Sequence, residues 1–238
     1  FLTTLNDFYR TSCFNDFFNA HTDIYELGLQ VFNDSVMAHF DQEWYTRFYG
    51  TPPTEQFRII IGFTNGPCNY GPSRKLTGQP KEVFAIMNYA VDDNEQPVFY
   101  KKIVETVVHE FCHSFTRIKG DTGKALEKSG KALQEYTYSS MRRQAYGTWR
   151  NILEESLVRA ATICYLIDHD YDEKDIRKAI IEQVDRNFFW MPELVQTLRY
   201  YESHRKKYPT FTSFYPEIVR FFDRYVADME KEIQKALK

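Results

Sequence analysis

The sequence predicts an α+β fold in which helix dominates. Three observations carry this. Aromatic and aliphatic residues recur at helical spacing through the first fifty residues and again from about residue 98 onward. Between them, at 56–90, lie two short runs rich in β-branched and aromatic residues. Composition is that of a globular chain, 43% hydrophobic, 17% aromatic and 26% charged, over 238 residues with no internal repeat, low-complexity tract or long linker. The order helices, small β element, helices is read as one unit, 1–238, made of a helical segment over residues 1–50, a β element over 56–90 and a helical segment over 98–238.

Each element has its own warrant. In "LNDFYRTSCFNDFFNAH", Phe8, Phe14, Phe17 and Phe18 fall at helical spacing, and the following segment continues in this style to Gly50. Thr51-Pro52-Pro53 breaks the chain. "QFRIIIGFT" (56–64) and "KEVFAIMNYA" (81–90) are strands, separated by a loop, 65–80, with three Gly and three Pro. "VDDNEQP" is a polar connector. After Pro97 the chain turns helical, with Ile103, Val104, Val107, Val108, Phe111 and Phe115 on one broad apolar face, and Gly120 and Gly123 are expected to end that helix. Further helices are expected near 124–146, 148–168, 173–189, 192–206 and 214–236.

Totals exclude several function classes. The net charge of −3 carries no basic excess of the kind that binds nucleic acid. No apolar run approaches the length of a transmembrane helix. The first residues, with Asp7 and Arg10 and no small-residue cleavage site, do not read as a signal peptide. Cys13, Cys68, Cys112 and Cys164 are too widely spaced for a cysteine-ligated zinc and are expected as buried free thiols. Oligomeric state leaves no mark in the sequence.

The chemistry concentrates in "VVHEFCHSF" (107–115). His109 and His113, four apart, share a helix face and can offer two imidazole nitrogens to one ion. Glu110 lies beside the first histidine, from where its carboxylate can reach the water that zinc activates without itself ligating. HExxH therefore assigns His109 and His113 as metal ligands and Glu110 as general base, with Zn2+ as the metal.

A catalytic zinc needs a third protein ligand. No histidine follows His113 in the HExxHxxGxxH manner. "WRNILEESLVRAATICYLI" (149–167) offers Glu154 and Glu155 inside an apolar helix, about 100° apart, so one of them reaches the metal. Glu155 is the first choice, because Arg159 four residues on could support it; Glu154 is the alternative, and an exposed Glu–Arg pair the bland reading. Tyr146, Tyr200, Tyr201 and His204 are candidates to stabilise an oxyanion, among 17 tyrosines of which most are structural. The loop at 65–75 could flank the cleft.

With these residues in place, the sequence resembles the gluzincins, zinc peptidases with HExxH on one helix and a ligating Glu on a later one. It looks closest to an uncharacterised family of bacterial domains of unknown function, usually exported. The stretches that carry this are "LNDFYRTSCFNDFFNAH", "HEFCHSF", "EESLVRA" and "YESHRKKYPTFTSFYPEIV". The resemblance implies a zincin-like fold with a small sheet beside the motif helix, the ligand set His109, His113 and Glu155 with Glu110 as base, and export to the periplasm or beyond. It also implies that the strand at about 83–89 forms the cleft edge, where an extended peptide could pair. Where familiar gluzincins often carry an acid near the ligating Glu, this chain has Arg159.

The expected function is thus a zinc-dependent metallopeptidase acting on a peptide or protein substrate. A catalytically inactive binding module on the same fold, and a metal-free helical interaction protein with packed histidines, are the competing expectations.

Overall fold

A computed structural model describes residues 1–66, 69–100 and 102–238. The fold is α+β with helix dominant. Helices α1 (Leu2–Thr11), α2 (Phe14–Ala20), α3 (Thr22–Ser35) and α4 (Glu43–Tyr49) come first. The strands are β1 (Gln56–Gly62), β2 (Ser73–Arg74), β3 (Glu82–Asn88), β4 (Ala90–Val91) and β5 (Pro97–Val98). Helices α5 (Lys102–Cys112), α6 (Gly120–Arg143), α7 (Trp149–Asp168), α8 (Glu173–Asp185), α9 (Met191–Ser203) and α10 (Phe211–Ala236) follow. Among the described residues no helix is long and apolar enough to cross a membrane.

The three-stranded sheet has the order β1-β3-β2, with β1 parallel to β3 and β2 antiparallel to it. Ile59 stands opposite Ala85 and Ile61 opposite Met87. The loop at 65–80 is therefore not wholly irregular: it carries β2 and a bridge from Tyr70 to Ile86. Elements of two residues leave no periodic trace, and here the partner strand rather than propensity makes them. The connector at 91–97 is a hairpin in which β4 and β5 pair.

The motif helix is shorter than expected at both ends. Pro97 and Val98 are spent on β5, so α5 starts at Lys102. At the other end Ser114 N–H donates to Phe111 O and Phe115 N–H to Cys112 O, a tight turn that closes α5 at Cys112. Gly120 and Gly123 do not end α5; they open α6.

Burial and ring packing fix α5 and α7 against the rest of the fold. Phe57 of β1 stacks on Phe111, with centroids 4.2 Å apart, and Tyr49 stacks on Phe115 at 4.2 Å. Tyr45 hydroxyl donates to Val108 O at 3.2 Å. Helix α7 is buried along nearly its whole length and packs against α5, α6, α8 and α9. Its start is capped by Thr148, whose hydroxyl accepts the Asn151 N–H at 3.2 Å. At its other end Trp44 Nε1–H donates to Asp168 at 2.8 Å, and Arg199 bridges Asp168 and Glu202.

Two expectations about burial change. The aromatic face of α1 and α2, with Phe8, Phe14, Phe17 and Phe18, remains exposed instead of joining the core. Cys112 and Cys164 are buried thiols, whereas Cys13 is exposed, and Cys68 lies outside the described residues.

Candidate metal centre

Helix α5 and the turn that ends it supply His109, Glu110 and His113; α7 supplies Glu155. His109 is the last-turn residue of α5, and His113 is the first residue beyond it. The two rings nevertheless stay neighbours, with centroids 5.1 Å apart and planes at 83°. Glu155 approaches from α7, with Oε1 3.4 Å from His109 Nε2 and Oε2 3.6 Å from His113 Nε2. One ligand atom from each of these three residues lies within 4.8 Å of the others, a group that could hold a metal ion.

Glu155 and Glu154 are separated by their orientation on α7. Glu155 is buried and faces the histidines. Glu154 Oε1 instead accepts the Ile118 N–H at 2.8 Å, holding the segment that follows the histidines. Arg159 lies one turn beyond Glu155, its Nη2 2.7 Å from Glu155 Oε1. This is an i,i+4 pair, but a buried one rather than a surface decoration. Arg159 is held in turn by Gln183 Oε1 at 2.5 Å, by Tyr146 hydroxyl at 2.9 Å and by the Phe188 ring, 5.0 Å away.

The donor set fits a cation. Glu155 is buried, with Arg159 as an ion-pair partner 2.7 Å from its Oε1, and its two oxygens face the two histidine Nε2 atoms at 3.4 and 3.6 Å. Two imidazole nitrogens and a carboxylate oxygen converging in this way form a donor set for a cation. Burial makes charging of His109 unfavourable and pushes its pKa down to about 4, and it lowers that of His113 as well. Burial opposes ionisation of Glu155, but its cationic surroundings, of which Arg159 is the permanent charge, keep that carboxyl below its usual range. Neutral imidazoles and an ionised carboxylate are the protonation states metal ligation needs.

Glu110 has a different environment. Burial, and then the nearby charge of Glu155, push its pKa up to about 7, against the pull of Arg159. Its carboxylate meets the segment carrying β2: a Cβ built on Gly71 would lie 2.0 Å from Glu110 Oε2. Only glycine permits that approach.

The sheet edge nearest Glu110 is one strand further out than β3, the strand expected there. Strand β3 is central, not marginal, because Tyr70 pairs with Ile86 in both directions at 3.0 and 2.8 Å, and Phe84 N–H donates to Pro72 O at 2.9 Å. The segment 69–74 forms the edge beside Glu110. In an antiparallel ladder alternate residues turn their N–H and C=O outward, which leaves those of Gly71 on the open side.

Of the oxyanion candidates, only Tyr146 joins this network, beside both Arg159 and Glu155. Tyr201 is buried in the core, and Tyr200 and His204 stack on each other at the end of α9. Gln183 and Gly71 escaped sequence reasoning. Gln183 carries no local signal, and Gly71 sits among other loop glycines. A cavity of about 280 Å³ opens beside His109 and Glu110, between α5, α7 and α8.

Residues 1–221 match the family described as Domain of unknown function (DUF4932), and the chain belongs to that family. No curated protein and no solved structure matches it.

Proposed function

We propose that this member of the DUF4932 family is a zinc-dependent peptide-bond hydrolase, with His109, His113 and Glu155 as metal ligands and Glu110 as general base. The observation that carries this reading is the convergence of His109, His113 and the buried Glu155, each offering one ligand atom within 4.8 Å of the others. Two nitrogens and one carboxylate suit zinc with an open position. When bound, zinc would supply Lewis acidity toward a peptide carbonyl and an attacking water.

The chain's own groups do the rest. Glu110 takes the proton of the water and returns it to the leaving amine. Glu110 stays free for this because Glu155, not Glu110, meets both histidines. Arg159 keeps Glu155 ionised and oriented, and Tyr146 and Gln183 keep Arg159 in place. An extended peptide would run along the outer side of 69–74, pairing with the N–H and C=O of Gly71. The gluzincin resemblance of the motif supports the same assignment.

The test is elemental analysis of native protein and of His113→Ala, both purified without added metal or chelator. About one zinc per native chain, lost in the variant, is expected. Native protein that stays metal-free after zinc is supplied would overturn the reading. Glu110→Gln should keep the zinc and lose peptide cleavage; equal behaviour of the two proteins toward a peptide library would mark an inert binding module instead.

A further inference from the structure

The cavity beside Glu110 has walls whose polar groups are almost all spent on each other. Lys102 Nζ is paired with Glu182 at 2.7 Å. Gln183 uses Oε1 on Arg159 and Nε2 on Ala179 O. Asn69 Oδ1 accepts the Asn88 N–H at 2.8 Å. Glu105, on the α5 side, is already engaged. Ile163, Leu166 and Ala179 give the cavity buried apolar contacts.

Arg159 is about nine-tenths buried and spent on Glu155, Gln183 and Tyr146. The donor left over is another guanidinium. Arg186 is the cation of this cavity without an ion pair or side-chain hydrogen bond among the described residues. Its backbone is fixed: it caps α8, donates to Glu182 O at 3.2 Å, and its carbonyl accepts Gln144 Nε2–H at 2.9 Å. The side chain is exposed and lines the same cavity as His109 and Glu110. A fixed backbone with an uncommitted guanidinium suits a carboxylate, which accepts two parallel N–H bonds. The cavity volume of about 280 Å³ suits one side chain.

Resting on the peptidase reading, we propose that this cavity is a carboxylate-recognising subsite and that Arg186 is its specificity residue. The preferred substrate is a peptide presenting a carboxylate to the cavity, from an acidic side chain or from a free C-terminus.

The experiment measures binding on zinc-loaded Glu110→Gln protein, with and without the added change Arg186→Glu. The probes are fluorescent peptides that differ only in Glu, Gln or Lys at one position, each with a free and an amidated C-terminus. With Arg186 present, carboxylate-bearing peptides should bind at least about tenfold more tightly than their neutral partners. Arg186→Glu should abolish that preference and favour Lys. A penalty for amidation alone assigns the C-terminus; a penalty for Gln alone assigns the side chain. A profile unchanged by Arg186→Glu, or no peptide binding by folded, zinc-loaded protein, would overturn the subsite. Absence of zinc from the protein would instead overturn the metallopeptidase reading beneath it.

Discussion

Glu154 Oε1 accepts the backbone N–H of Ile118 at 2.8 Å, so two adjacent glutamates of α7 have different partners. Glu155 meets the histidines, and Glu154 anchors the chain that leaves them. Glu155→Gln should therefore abolish metal binding. Glu154→Gln should retain the metal and lose ~1–2 kcal/mol of stability, since a carboxylate is the stronger acceptor. Metal titration and urea unfolding of both variants check this; metal loss in Glu154→Gln alone would reverse the assignment.

Gly71 predicts a separation of metal binding from catalysis. Its missing Cβ would stand 2.0 Å from Glu110 Oε2, so Gly71→Ala must displace that carboxylate or the edge segment. The ligands lie elsewhere. Metal content should stay native while peptide hydrolysis falls by about tenfold or more in kcat. Full activity in Gly71→Ala would show that Glu110 need not keep this position.

Arg159 predicts the reverse pattern. Its charge and fork orient Glu155. Arg159→Gln should weaken zinc binding by about 10–100-fold, the range found for groups that orient a metal ligand. Arg159→Lys should restore some of it. Tighter zinc binding in Arg159→Gln would mean that charge repulsion, not orientation, dominates.

A pH effect on stability should come from far outside the site. Burial first, and then the neighbouring Asp168, push the Glu202 carboxyl up to about 8 in the folded protein, against the pull of Arg199. Its unfolded value is near 4.3. The fold therefore holds this proton more tightly than the unfolded chain does. The resulting stability is present in full below about pH 4.3 and is lost as pH climbs through about 8. Asp168 is shifted downward, so its own loss falls at acid pH, outside this window. Glu202→Gln should gain stability relative to the native protein between about pH 5.5 and about pH 8.5, by ~1 kcal/mol or more. Thermal unfolding at the two pH values reads it; a constant difference would rule the mechanism out.

The long elements were legible because periodicity is a local property. Helices α6 to α10 and strands β1 and β3 fall within a few residues of their expected spans, since each carries enough apolar repeats to declare its face. The ends of α5 were not legible. One is set by β5 pairing with β4, the other by the turn at Ser114 and Phe115 and the hold of Glu154 on Ile118. No window of sequence around α5 contains those partners.

The sequence by itself determined the helix-dominant α+β class and, because spacing along one helix dictates which side chains share a face, the neighbourhood of His109 and His113; it also pointed to the glutamates of α7 as candidates to join them. Only the tertiary structure decided between Glu154 and Glu155, buried Arg159 against Gln183 and Tyr146, placed 69–74 rather than β3 at the edge, and brought Gly71 against Glu110. Those relations join segments far apart in the chain. They are set by how α5, α7, α8 and the sheet close around a common core, and packing of that kind has no local signature.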